Sequence, residues 1–327
     1  MLNFKKNRAI NLICLGRAGV DLYPIEREIS IIDAPAFEKY VGGSPANIAA
    51  AFSKLGGVSG FIGKVSNDQF GQYVIRYLKS INIDTSNIIS DNTGTRTSLA
   101  IAERKADNCD TLFYRNGAAD LYLKPEDISE VYIKNATALI ISGTALSQSP
   151  SREAVFMALH YARKHSTIVF FDIDYRNYSW SSKEETSLYY SLAAEKSDVV
   201  IGTREEYDAM EYTVLPGNKD DRKTAARLFR FATSIAVIKH GKSGSIAYDS
   251  EWNEYHGRIY MVEVKKPYGA GDAFAGSFIY HLMQGESISS SLNKSAAAAS
   301  IIISNNSCSE ASPTLNELSN FIKKYTC

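Results

Sequence analysis

The chain has 327 residues, with 36 basic and 36 acidic side chains and a formal net charge of zero. That balance offers no attraction to a phosphate polymer or an anionic lipid surface, so neither nucleic acid nor membrane is expected as a partner. No apolar run approaches the ~18 residues that a spanning helix needs, and a chain of this length can bury a sizeable α/β core.

The basic start (Lys5, Lys6, Arg8) is followed by Ile10-Asn11-Leu12-Ile13-Cys14-Leu15-Gly16. Asn11 interrupts the run and no small-residue cleavage site follows, which predicts a first buried strand rather than a leader. Two stretches, about 17–41 and 94–116, are β-rich without intervening helices and predict a separate small sheet, a lid. Between them a helix starts at Ser44, with Ser44 as cap, Pro45 in the first turn, Gly56 at the stop, and Ile48, Phe52 and Leu55 on one face. Asn47 then falls in the first turn.

From about residue 137, strand-like runs (Ala138 to Ser142, Thr167 to Phe171, Asp198 to Ile201, Ile235 to Lys239) alternate with helical ones (Arg152 to His165, Asp220 to Ala232). Alternation of this kind predicts a mostly parallel sheet covered by helices. The alanine run at Ala296 to Ala299 reads as helix. The cysteines (Cys14, Cys109, Cys308, Cys327) are far apart and form no C-x-x-C, which predicts no zinc site or redox dithiol and fits a reducing, cytoplasmic location.

The most informative segment is Gly269-Ala270-Gly271-Asp272, leading into the apolar run Phe274, Phe278, Ile279, Leu282. Glycines at a helix start let backbone amides converge on an anion, and phosphoryl transfer needs such a hole because the migrating group carries charge on three oxygens. Asp272, in the first turn, is positioned to take a proton from an attacking hydroxyl, although the helix dipole favours its ionised form and so weakens it as a base. A tight turn with a capping aspartate is the bland alternative. A dinucleotide fingerprint would need glycine where Phe274 stands, and a P-loop ending in Gly241-Lys242-Ser243 would need glycine where Ala236 stands.

Two further segments carry binding chemistry. Gly42-Gly43-Ser44-Pro45-Ala46-Asn47 lets a ligand lie against backbone while Asn47 offers a donor and an acceptor to a polyol, or is simply a good helix start. Phe171-Asp172-Ile173-Asp174-Tyr175-Arg176 ends a buried strand, the end at which parallel sheets bind ligands, so Asp174 and Arg176 face substrate or form a structural salt bridge.

Together with Gly63-Lys64-Val65, Asp68 and Gly71, these segments resemble, in order over nearly the whole chain, the ribokinase-like carbohydrate kinase family. The resemblance implies a three-layer α/β fold, with a mostly parallel central sheet flanked by helices and a small β-sheet lid, as one domain over residues 1–327. It also implies ATP and Mg2+, Asp272 as base, and the amides of Gly269, Ala270 and Gly271 as anion hole. Asp21, Gly42, Gly43 and Asn47 would hold substrate hydroxyls. Lys239, Gly241, Gly244 and Asn305 would border ATP, and Glu206 would organise magnesium through water. Lid strands could pair two copies into a homodimer.

Three positions depart from the family pattern. Asp174 stands where asparagine is usual, which leaves an acceptor only. Thr203-Arg204-Glu205-Glu206 keeps the glutamate of N-x-x-E but not the asparagine. Lys266 stands where an aspartate commonly helps to hold a monovalent cation; its ammonium would supply that charge directly unless it points into solvent. Gly16-Arg17-Ala18, the Asp172 to Arg176 string, Gly202 to Tyr207 and Lys266-Pro267-Tyr268 are similar to the bacterial inositol-catabolic branch, which acts on a 2-deoxy keto sugar acid. Arg176 and Arg115 are the leading candidates for its carboxylate, and Arg17 and Lys39 the weaker ones. Kinases acting on 2-keto-3-deoxygluconate or fructose, a non-catalytic sugar-binding regulator, and a nicotinamide-dependent oxidoreductase are the other readings.

Overall fold

The computed structural model describes residues 2–5, 7–105 and 109–325. Lys6 of the basic start, residues 106–108 of the lid stretch, and Cys327 lie outside the described residues.

The first half holds β1 (Ile10–Leu15), β2 (Gly19–Pro24), β3 (Phe37–Gly42), α1 (Ser44–Lys54), β4 (Ser59–Ser66), α2 (Gln69–Ser80), β5 (Asp84–Asp91), β6 (Leu99–Ala102) and β7 (Thr111–Tyr114). Next come α3 (Glu130–Lys134), β8 (Ala136–Ser142), α4 (Ser151–His165), β9 (Ile168–Asp172), α5 (Lys183–Ala194), β10 (Val199–Thr203), α6 (Arg204–Glu211) and α7 (Asp221–Leu228). The chain finishes with β11 (Ile235–Lys239), β12 (Ser245–Asp249), β13 (Glu254–Gly257), α8 (Ala270–Met283), α9 (Ile288–Ile303) and α10 (Leu315–Lys323).

Nine strands make one sheet in the order β13-β12-β11-β10-β9-β8-β1-β4-β5, in which all pairs from β5 to β11 are parallel and β12 runs antiparallel to both β11 and β13. Successive residues of a strand face opposite sides, and here both sides are dry. On β1, Leu12 and Cys14 enter one core with α1, α2, α8 and α9, while Ile13 and Leu15 enter the other with α4 to α7. The same division splits Ala138 and Ile140 from Leu139 and Ile141 on β8. This explains why these strands read as continuous apolar runs rather than alternating ones.

Strand order reverses beside β1, from which the chain proceeds to β4 and β5 on one side and to β8 through β11 on the other. The crevice at the carboxyl ends of strands around such a reversal is where open α/β sheets bind ligands. The second sheet, β3-β2-β6-β7, is built from the two predicted β-rich stretches and stands over that crevice.

One local expectation is corrected. Ser44 does not cap α1; the cap is Gly43, with φ 101° and no side-chain bond, and Ser44 Oγ donates instead to Asp172 Oδ2 at 3.2 Å. Pro45 does sit in the first turn, and Gly56 (φ 98°) closes the helix with its amide on Ser53 O at 2.9 Å.

Glu310, in the loop between α9 and α10, has a carboxyl that burial pushes up to about 7, with Oε2 unpaired among the described residues. A carboxyl raised in the folded state stabilises fully below its unfolded value near 4.5, and that contribution is lost as pH rises through about 7. Glu310→Gln is therefore expected to melt about 2–4 °C above the parent at pH 8, with the advantage vanishing near pH 4; calorimetry at the two pH values checks this.

Candidate active site

A cavity of about 460 Å3 opens at the carboxyl ends of the strands, under the lid sheet. Its wall carries Asp21, Gly43, Asn47, Arg115, Asp174, Arg176, Glu206, Lys239, Gly269, Gly271 and Asp272, so most of the sequence-derived candidates converge on one space.

The turn before α8 is shaped by Gly269, whose φ of 78° is left-handed and whose Cβ, if present, would stand 2.6 Å from Cys308 Sγ. Only glycine fits there. The first amides of a helix have no partner within it, so those of Ala270 and Gly271, together with that of Gly269, are free to meet an anion. A Cβ at Gly271 would lie 3.3 Å from Lys239 Nζ, which puts an ammonium at the mouth of the same turn.

Asp272 Oδ2 accepts a hydrogen bond from Asn47 Nδ2 at 2.7 Å. Burial, and next the neighbouring Asp174, raise its pKa against the opposing effects of Asn47, Ser44 and Arg176. The helix-dipole expectation of a weakened base is thus outweighed: desolvation of the charged form wins at this site.

Asn47 is more committed than its polyol-binding role suggested, since its Oδ1 accepts from Ser309 Oγ at 2.5 Å while its amide holds Asp272. Asp21 is the opposite case. Its Oδ2 accepts from Tyr23 Oη at 3.1 Å, but its buried Oδ1 has no hydrogen-bond partner among the described residues, although Asp21 lines the cavity. Gly42 backs it: a Cβ there would stand 1.9 Å from Asp21 Oδ1.

Asp174 sits at φ 37°, a left-handed conformation rarely adopted by side-chain-bearing residues, and accepts from Ser142 Oγ (3.0 Å), Thr144 Oγ1 (3.3 Å) and Arg176 Nη2 (2.6 Å). Arg115 is buried, with Nε and Nη2 on Asp120 Oδ2 (3.0 and 2.7 Å) and Nη2 also on Thr144 O (2.9 Å), so its guanidinium belongs to the fixed wall rather than travelling with the lid. Lys39 lies over the ring of Tyr73, 4.4 Å from its centroid, and does not line the cavity.

Glu206 is held by two backbone amides, Thr203 N at 2.6 Å and Tyr175 N at 3.2 Å. A carboxylate fixed in this way keeps lone pairs for water, which fits the outer shell of a magnesium ion whose inner partners are phosphates and water. Burial and the like charges of Asp174, Glu206 and Asp272 hold the Asp172 carboxyl well above the ordinary range, with Lys239 opposing. Burial opposes the charge on Lys239, but Asp172, Glu206, Asp272 and Asp174 outweigh it and raise its pKa. Gly241 (φ 57°), Gly244 (φ 89°) and the exposed Asn305, whose Nδ2 donates to Ile301 O at 2.7 Å, lie outside the cavity lining.

Lys266 does not point into solvent: it is 0% exposed, and Nζ donates to Tyr268 O at 2.7 Å and to Cys308 Sγ at 3.3 Å, immediately behind the Gly269 turn. Residues without any motif complete the site. Thr111 Oγ1 on lid strand β7 lies 2.8 Å from Tyr268 Oη, and Phe113 on the same strand stacks on Tyr178 with centroids 4.4 Å apart. The alternation in β7 was the available signal: Thr111 and Phe113 turn inward while Leu112 and Tyr114 are exposed.

The sequence profile of the pfkB family carbohydrate kinase matches residues 9–315. The 5-dehydro-2-deoxygluconokinase of Geobacillus thermodenitrificans is 50% identical over 324 residues, covering 99% of this chain and 96% of that protein. The enzyme of the same name from Bacillus anthracis is 52% identical over 323 residues, covering 98% and 97%. Among solved structures, the fructokinase of Xylella fastidiosa with bound ATP superposes with a TM-score of 0.86 at 23% identity, over 97% of this chain and 99% of that one. An Escherichia coli chain named ribokinase II, in complex with ATP and Mg2+, also gives 0.86, at 22% identity over 96% and 99%. The chain described here belongs to the pfkB family of carbohydrate kinases.

Proposed function

We propose that this kinase transfers the γ-phosphoryl group of ATP to the terminal hydroxyl of 5-dehydro-2-deoxy-D-gluconate, a step of myo-inositol degradation in the cytoplasm. The substrate rests on relatives of that name at 50% and 52% identity, which favour it over fructose or 2-keto-3-deoxygluconate. The observation that carries the reaction is a half-buried carboxylate, Asp272, held by Asn47 beside the Gly269 to Gly271 amides.

In this reading Asp21 Oδ1 and the backbone at Gly42 and Gly43 accept the sugar, with its terminal hydroxyl at Asp272. Asp272 takes the hydroxyl proton as the oxygen attacks, and the Gly269, Ala270 and Gly271 amides with Lys239 stabilise charge on the migrating group. Glu206 orients water of the magnesium shell, and bound Mg2+ supplies neutralisation of the phosphates. The adenosine end extends toward Gly241, Gly244 and Asn305. The lid excludes water, and its edge strands β3 and β7 offer exposed Phe37, Leu112 and Tyr114 for pairing with a second copy.

Asp272→Asn is expected to lower turnover by about 10²-fold or more while leaving ATP affinity largely intact; coupled ADP release and calorimetric titration with ATP measure the two, and near-normal turnover would remove the base. In the parent, protonation of Asp272 should reduce turnover at a pH above the ordinary carboxylate range, because its pKa is raised. A panel of neutral sugars and keto sugar acids tests the substrate assignment, with 5-dehydro-2-deoxygluconate expected to give the highest kcat/KM.

Lys266, buried behind the anion turn, supplies a fixed positive charge there, so the enzyme should need no monovalent cation. Rates with potassium and with sodium at equal ionic strength are expected to agree, and Lys266→Met to lower kcat by about 10²-fold. Strong potassium activation of the parent would refute this role.

A further inference from the structure

We propose that Arg17 is the carboxylate-recognition residue of the cavity, pairing with the acid end of the substrate while the other end lies at Asp272. The proposal rests on the sugar-acid reading above and adds to it the residue that distinguishes an acid from a neutral sugar.

Four cations line the cavity: Arg17, Arg115, Arg176 and Lys239. Three are matched by carboxylates of the protein itself. Arg115 grips Asp120 at 2.7 Å, Arg176 grips Asp174 at 2.6 Å, and Lys239 lies 4.0 Å from Asp172. Arg17 has no ion-pair partner among the described residues, and its one side-chain bond there runs from Nη1 to Ser98 Oγ at 3.1 Å. Ser98, 1% exposed and just ahead of lid strand β6, anchors one corner of the guanidinium, and the four remaining N–H groups of its planar fork stay available for a bidentate partner.

Position agrees with this inventory. Asp172, Asp174, Glu206 and Asp272 make one end of the cavity acidic, and an incoming carboxylate would be repelled there. Arg17 belongs to the lid side: Nη1 bonds Ser98 just ahead of β6 and would lie 3.1 Å from a Cβ at Gly19, where β2 begins, and its charge acts on Asp21 of the same lid strand. Beside Arg17, the lining residue Asp21 has an Oδ1 without a hydrogen-bond partner among the described residues, an acceptor suited to a hydroxyl hydrogen. One wall thus offers acceptors to alcohols and an unmatched cation to an acid. A neutral sugar would leave that cation unpaired, and this favours the acid. The order of candidates expected from sequence is thereby reversed, because Arg115 and Arg176 already hold carboxylates.

The test compares the parent with Arg17→Gln and Arg17→Lys on the keto sugar acid and on the analogue whose carboxylate is replaced by hydroxymethyl. Losing a charge-assisted bidentate contact should raise KM for the acid by about 10- to 100-fold in Arg17→Gln with kcat nearly unchanged, while KM for the neutral analogue stays put or falls. Arg17→Lys, which keeps the charge without the fork, should fall between, and it carries the test if the glutamine variant does not fold. Equal loss on both substrates, or no loss on either, overturns the proposal. A parent enzyme that phosphorylates no sugar acid would instead overturn the substrate assignment on which it rests.

Discussion

The hydrogen bond from Asn47 Nδ2 to Asp272 Oδ2 joins residues 225 positions apart, and the geometry of the cavity is organised about it. It forms because α1 and α8 start side by side and pack closely, with Gly276 so near α1 that a Cβ would stand 2.8 Å from both Ala51 Cβ and Ile48 O. One of these helices opens on the Gly42-Gly43 backbone beside Asp21, the other on the Gly269 turn. Their adjacency brings the Gly42-Gly43 backbone and the Gly269 turn to one carboxylate, the juxtaposition on which the proposed binding of hydroxyl and phosphate rests. Were the helices to separate by the width of one side chain, the bond would break and the half-buried Asp272 would lose its side-chain donor, which is costly for a charged group.

Electrostatics impose the second constraint. Four carboxylates, Asp172, Asp174, Glu206 and Asp272, meet at the cavity, and burial together with the neighbouring like charges raises the pKa of Asp172 and of Asp272, which opposes folding. The protein answers with cations on the opposing elements: Lys239 from β11, Arg176 from the segment after β9, and Lys266 from the turn behind α8. Lys266 is fully buried, and among the described residues its Nζ bonds a carbonyl and a thiol; burial raises the Cys308 pKa so that the sulfur remains a neutral acceptor. A charge placed in this way is unscreened toward the Gly269 turn.

The lid is tied to the same turn. Thr111 reaches Tyr268 Oη, and the Tyr268 carbonyl is held by Lys266, so one residue links a lid strand to the backbone that begins the anion hole. Phe113 stacked on Tyr178 provides a second contact between the lid and the body of the protein. The lid strands alternate inward and outward residues as a sheet covering a cavity must.

Much of the architecture was legible without coordinates, because apolar runs of strand length alternating with amphipathic helices admit few arrangements other than a covered parallel sheet. The glycines at 42, 43, 269 and 271 and the carboxylates at 21, 174 and 272 were readable for a related reason: local backbone conformation and strand ends act over a few residues, the range that a motif spans. What tertiary structure alone decided were contacts between distant segments. Ser44 bonds Asp172 instead of capping its helix, Asn47 is held by Ser309, Arg115 is matched to Asp120, and Lys266 is buried against Cys308. Whether a cation is paired or free depends on partners that chain order does not reveal, so the sequence by itself determined the motif groups brought to the cavity, and only the folded packing left Lys39, Gly241, Gly244 and Asn305 outside its lining, added Thr111, Phe113 and Tyr178, and decided which cations are matched.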